Sequence, residues 1–168
     1  HALRGSSDAV VVGIHTILKD DPRLNARGVG VSPGKPVKVI LDSRLRTPLT
    51  ARCLSASSAP LVIIATISQN TKKRVALTRK GAEVLVFRGR GGRVPLTALF
   101  KQLAARGLQT VLIEGGGAVL ASAFAERLVD RVVWCIAPVL IGGRAAPTSS
   151  AGSGVRKLSQ AVRVKDIR

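Results

Sequence analysis

The run Glu114-Gly115-Gly116-Gly117 is the part of this 168-residue sequence best suited to chemistry. It comes after the apolar run Thr110-Val-Leu-Ile113 and precedes a helical pattern over about 118–128. Glycines between a strand and a helix let the main chain approach a ligand closely. The helix start then offers free N–H groups and positive potential to a phosphate. The spacing is neither a Walker A loop, since no Gly-Lys-Ser/Thr comes after it, nor GxGxxG, and such turns also arise for packing alone. Glu114 falls at the carboxyl end of its strand, where open α/β sheets deliver functional groups, with a solvated turn carboxylate as the alternative. Asp20-Asp21-Pro22 suggests a metal pair, but an Asx-type turn before proline is more ordinary. His15 has no recognisable Ser or Cys nucleophile beside it. Cys53 and Cys135 lie outside CxxC or His/Cys spacing, against a zinc ribbon or disulfide scaffold.

The elements that position these residues alternate in type. Short β-branched or apolar runs predict strands at Asp8–Ile14, Val37–Leu41, Leu61–Ala65, Val84–Phe87, Thr110–Ile113 and Arg131–Ile136, with a last one at Val162–Val164. Helices are expected from Asn70 to Lys80, stopped by Gly81, and over the stripe Leu96, Leu99, Phe100, Leu103 and Ala104, stopped by Gly107. Strands alternating with helices give α/β architecture in three layers, with a largely parallel central sheet covered on both faces. No internal repeat appears, and residues 142–156 read as a loop within one domain.

Charge sets the partner classes. Lys and Arg total 27 against 9 Asp and Glu, for a net charge of +18, which favours polyanions or phosphorylated small molecules. With three Phe, one Trp and no Tyr, a stacking platform for single-stranded nucleic acid is not expected. The bases are dispersed except over 72–93, and a solvated basic face is the plainer reading. No apolar run approaches the roughly 18 residues of a membrane span. The chain begins at His1 without a Met, which reads as a fragment or processed product.

Four motifs in order, Asp8-Ala-Val-Val-Val-Gly-Ile-His-Thr-Ile-Leu-Lys-Asp-Asp-Pro-Arg-Leu24, Val39-Ile-Leu-Asp-Ser-Arg-Leu-Arg-Thr-Pro48, Leu112-Ile-Glu-Gly-Gly-Gly117 and Ala137-Pro-Val-Leu-Ile-Gly-Gly143, resemble the reductase domain of the bifunctional riboflavin-biosynthesis deaminase/reductase. The wider family is similar to dihydrofolate reductase. The resemblance implies NADPH-dependent reduction of 5-amino-6-(5-phosphoribosylamino)uracil to its ribitylamino counterpart. By matched position, Arg4, Leu24 and Arg27 would hold the substrate's ribose phosphate and Glu114 its polar groups. Thr16, Asp20 and Ser43 fall at cofactor positions, and Gly116, Gly117, Ala118, Val119, Leu120, Ala121 and Ser122 at the pyrophosphate turn and helix start. Arg44, next to Ser43, is added as a partner for the cofactor's 2′-phosphate, with Lys72, Lys73 and Arg74 as weaker candidates. Neither a catalytic nucleophile nor a metal is expected.

The family's domain opens with a central strand carrying an Asp-Gly turn, and that strand is missing here, so the domain over 1–168 is expected to be N-terminally incomplete. Its loss would leave unpaired backbone edges and exposed apolar surface. The zinc deaminase motifs are also missing, so any fused deaminase would lie upstream. The resemblance further implies a homodimer without nucleic-acid or membrane partners, in the cytoplasm or, in a plant or alga, a plastid. Three alternatives stand beside it: 2,5-diamino-6-ribosylaminopyrimidinone 5′-phosphate reductase, a non-catalytic reductase-like domain, and a basic nucleic-acid-binding module.

Overall fold

A computed structural model describes residues 1–28, 36–54, 61–89, 91–136, 138 and 161. The chain falls into two compact units, His1–Gly116 and Gly117–Arg168. The first contains a short helix α1 (Ala2–Gly5), strand β1 (Ala9–Gly13), helix α2 (Ile14–Asp20), strands β2 (Val37–Leu41) and β3 (Val62–Thr66), helix α3 (Thr71–Arg79), strand β4 (Ala82–Val86), helix α4 (Leu96–Ala104) and strand β5 (Val111–Ile113). The second unit's described helix is α5 (Gly117–Ala125).

The five strands form a parallel sheet in the order β4-β3-β2-β1-β5. β1, β2 and β3 are the continuous apolar runs of the sequence, and their side chains are buried on both faces apart from a half-buried Leu41. One face carries Val10, Val12, Ile40 and Ile64 against Ile14 and Ile17 of α2 and Leu77 of α3. The other carries Val11, Val39, Ile63 and Ala65 against Leu99 and Leu103 of α4. Helices therefore cover both sheet faces, giving the three layers expected. Fully burying each such aliphatic side chain contributes about 1.5–3 kcal/mol.

The helix boundaries reflect local chemistry. Asn70 caps α3 by accepting from Lys73 N at 3.0 Å. After α4 the chain turns at Gly107 (φ +78°), and Leu108 N returns to Leu103 O at 3.1 Å, a Schellman closure that favours glycine at its left-handed position. Within the α4 stripe, Leu96, Leu99 and Leu103 are buried and Phe100 is half-buried, while Ala104 faces solvent.

The expected strand at Arg131–Ile136 is not formed: the segment has no regular structure, and Val133, Trp134 and Ile136 are exposed. A β-prone run becomes a strand only when a neighbour completes its hydrogen-bond ladder, and among the described residues none does. The run Val162–Val164, the segment 142–156 and most of 137–143 lie outside the described residues. At the sheet's edge, β5 pairs only with β1 among the described residues, and Val111, Leu112 and Ile113 stay half-buried.

Candidate functional site

In a parallel sheet all carboxyl ends share one edge. Here that edge brings together the segments that leave β1, β2 and β5: α2, the turn Asp42-Ser43-Arg44, and Glu114-Gly115-Gly116. Register fixes them side by side, with Gly13 opposite Leu41 and Val11 opposite Ile113. From β1 the chain adds β2, β3 and β4 outward on one side, then returns to place β5 on the other. This reversal is a topological switch point, and open α/β sheets bind ligands in the crevice outside it.

The two sides of that crevice meet. Glu114 N donates to Val11 O at 2.9 Å, so the glycine turn starts on the β1 ladder. Gly115 and Gly116 then adopt φ +79° and +77°, values disfavoured for residues bearing a Cβ. A Cβ on Gly115 would sit 3.6 Å from Thr16 Oγ1, which places this turn against α2. Thr16 and Asp20 lie four residues apart and share a face of α2. Such a bare, positive-φ turn beside a hydroxyl, at a switch point, fits a dinucleotide diphosphate. Ser43 is half-buried and Arg44 exposed in the turn after β2.

Asp42 anchors that turn. Its buried Oδ2 accepts from Thr47 N and Thr47 Oγ1, both at 2.7 Å, while Oδ1 is buried without a partner among the described residues. Lys72, Lys73 and Arg74 lie in the first turn of α3, after β3 on the same sheet edge. In the second unit, α5 begins at Gly117, and Ser122 Oγ donates to Ala118 O at 3.0 Å within the helix.

A cavity of about 210 Å³ in the first unit is lined by His1, Arg4, Pro22, Arg23, Leu24, Asn25, Arg27 and Arg52. Arg4, Leu24 and Arg27, spread over 24 residues of sequence, thus surround one space. Arg4 Nε donates to both Glu114 oxygens, at 3.0 and 2.9 Å, and Arg4 Nη1 to Asn25 O at 3.2 Å. The fourth expected substrate residue is thereby joined to the other three, although Arg4 and Glu114 are committed to each other. Leu24 is buried at φ +56°, a left-handed conformation that costs an L-residue about 1–2 kcal/mol. Asp21, at φ +39°, accepts from Arg52 N at 2.8 Å, so its carboxylate ties the turn before Pro22 to residues 51–54. His15 Nε2 stands 3.2 Å from an Arg46 Nη2.

Sequence reasoning missed Arg23, Arg52 and Lys38. Arg23 was visible inside the first motif, whereas nothing local marks Arg52, which arrives from a distant turn. Lys38 is 1% exposed on β2 and donates to Cys53 O at 3.4 Å. Burial holds its ammonium below the ordinary lysine range, with Cys53 acting in the opposite sense. Burial likewise pushes the Cys53 thiol up.

Fold and site together define a doubly wound parallel α/β domain with a glycine turn at its switch point and an arginine-lined cavity nearby. Residues 1–168 match the RibD C-terminal domain family, and the chain belongs to that family. It is 42% identical over 167 residues to the 2,5-diamino-6-ribosylamino-4(3H)-pyrimidinone 5′-phosphate reductase of Methanothermobacter thermautotrophicus, covering 98% of this chain and 75% of that protein. It is 36% identical over 162 residues to the riboflavin biosynthesis protein RibD of Actinobacillus pleuropneumoniae, covering 96% of this chain and 43% of that one. Among solved structures, Acinetobacter baumannii RibD superposes with a TM-score of 0.79 at 29% identity, over 96% of this chain and 43% of its own. The fold is thus the dihydrofolate reductase-like one, and the chain spans less than half the length of these RibD proteins. No helix among the described residues is long and apolar enough to cross a membrane.

Proposed function

We propose that this domain reduces the ribosylamino group of a pyrimidine ribosylamine 5′-phosphate to a ribitylamino group in riboflavin biosynthesis, with NADPH as reductant. The observation that carries the reading is the convergence of Arg4, Leu24 and Arg27 on one cavity, with Arg4 reaching Glu114 beside the glycine turn. Arginine forks suit phosphate oxygens, and each charged hydrogen bond contributes about 1.5–3 kcal/mol.

When bound, NADPH supplies the hydride that C1′ of the ring-opened imine accepts as its C=N double bond becomes single and its nitrogen takes a proton. The chain's own work is alignment. Arg27 and the loop at Leu24 hold the phosphate. Arg4 fixes Glu114 so that its carboxylate accepts from the pyrimidine's donors. Gly116 meets the diphosphate, with Thr16, Asp20 and Ser43 as further contacts and Arg44 at the 2′-phosphate.

Purified protein is assayed for NADPH oxidation with 5-amino-6-(5-phosphoribosylamino)uracil and with its 2-amino precursor. The activity for which the Methanothermobacter relative is named favours the precursor. Turnover of either bears out the reading, and the ratio of the two identifies the substrate. Consumption of neither overturns it. Arg44→Gln narrows the NADPH-over-NADH preference, and an unchanged ratio removes Arg44 from the site. A homodimer in cytoplasm or plastid belongs to the same reading, and light scattering tests the dimer.

A further inference from the structure

We infer that Arg23 and Arg52, neither of them among the substrate positions carried over from the family, combine with Arg27 into a receptor for a doubly charged phosphomonoester. They would thereby set the site's selectivity for the phosphorylated form of its ligand. The inference rests on the proposed function for the ligand's identity and adds the residues that read its charge.

The cavity is lined by four arginines, drawn from three parts of the chain. Arg4 is neutralised by Glu114. Among the described residues, Arg23 and Arg27 have no carboxylate partner. Arg52 sits on a fastened backbone: its N–H is held by Asp21 Oδ1 at 2.8 Å, and the next carbonyl, Cys53 O, accepts from buried Lys38 at 3.4 Å. Arg23 and Arg27 thus bring two positive charges to the cavity wall that no carboxylate among the described residues offsets. Two charges match a phosphomonoester dianion and exceed a diester monoanion. The backbone is also held in a costly shape here, with Asp21 and Leu24 both at positive φ. Strain of this kind persists where surrounding contacts impose a required geometry. Asn25 also lines the cavity, and its Oδ1 is buried with no partner among the described residues.

The test uses calorimetry on the whole chain at about pH 8, where a monoester is doubly ionised because its second pKa is about 6. The probes are ribose 5-phosphate and its monoanionic methyl diester. Wild type is expected to prefer the monoester about tenfold or more. Arg23→Gln and Arg52→Gln each weaken monoester binding about 5- to 20-fold, the range of one charged hydrogen bond in a partly solvated site, and weaken the diester less. Arg52→Lys restores part of the loss. NADPH affinity and the NADPH/NADH ratio stay within twofold, which separates this phosphate from the cofactor's 2′-phosphate and excludes a folding defect. If both glutamine variants keep wild-type affinity and preference while Arg27→Gln loses them, the inference falls and the phosphate site stands. If wild type binds neither probe, the phosphate reading fails and the inference with it.

Discussion

Leu24 shows how much this site is decided at the scale of single residues. A leucine at φ +56° is a poor local choice, yet it is buried and lines the basic cavity. Gly116 is the converse, since at φ +77° it is the residue its backbone asks for. Gly116→Val places a β-branched side chain in that region, so NADPH affinity is expected to fall more than about tenfold by fluorescence titration. Unchanged affinity would remove the turn from the cofactor site. Lys38 makes the opposite exchange, with its ammonium buried in the core. Its folded pKa lies below its unfolded one, near 10.4, so the unfolded chain binds the proton more tightly. Wild-type stability attributable to Lys38 therefore rises with pH between the lowered value and about 10.4, and below that window the penalty is constant. Lys38→Met removes the penalty. The variant is expected to be about 1–2 kcal/mol more stable at pH 7, by urea unfolding, with the advantage shrinking toward pH 10. An advantage that does not change with pH would mean that the ammonium is not the source.

Elements are pinned to one another by a few polar ties. The entry to β1 meets the entry to β5 through Asp8. Its Oδ2 accepts from Gln109 N at 3.0 Å, Thr110 N at 2.9 Å and Thr110 Oγ1 at 2.7 Å. That carboxylate bridges the starts of the two strands whose far ends lead into α2 and the Glu114 turn. Asp8→Ala leaves these donors to water and is expected to cost about 1–2 kcal/mol in denaturant unfolding, with Asp8→Asn milder. A loss below about 0.3 kcal/mol would show that main-chain pairing suffices. Glu83 on β4 and Arg106 after α4 form a second tie, with Arg106 hydrogen bonds holding the Glu83 carboxyl below its usual range. Both side chains are more than a third exposed, so screening leaves this pair only a small share of stability.

For the whole molecule the governing quantity is charge. A net +18 repels itself in the folded state, and salt screens that repulsion. Raising sodium chloride from about 20 mM to about 300 mM, which shortens the screening length several-fold, is expected to raise Tm by a few degrees. A flat or falling Tm would mean that local pairs outweigh the net field. The same salt should weaken ribose 5-phosphate binding.

The layers are legible in the chain alone. Val10–Val12, Val39–Ile40 and Ile63–Ile64 are apolar without interruption because both sheet faces are covered, and the stripe of Leu96, Leu99 and Leu103 has a helix's period. Such signals are local and survive in one dimension. The sequence also placed Glu114 and the glycines at a strand's end, and the motif order carried the family. Folding is what puts Arg23 and Arg52 in one cavity with Arg27, spends Arg4 on Glu114 and buries Lys38. It also decided that Arg131–Ile136, β-prone by composition, forms no strand. Each of these depends on which distant segment stands opposite, and a residue's partner across the fold leaves no mark on its own neighbours in the chain.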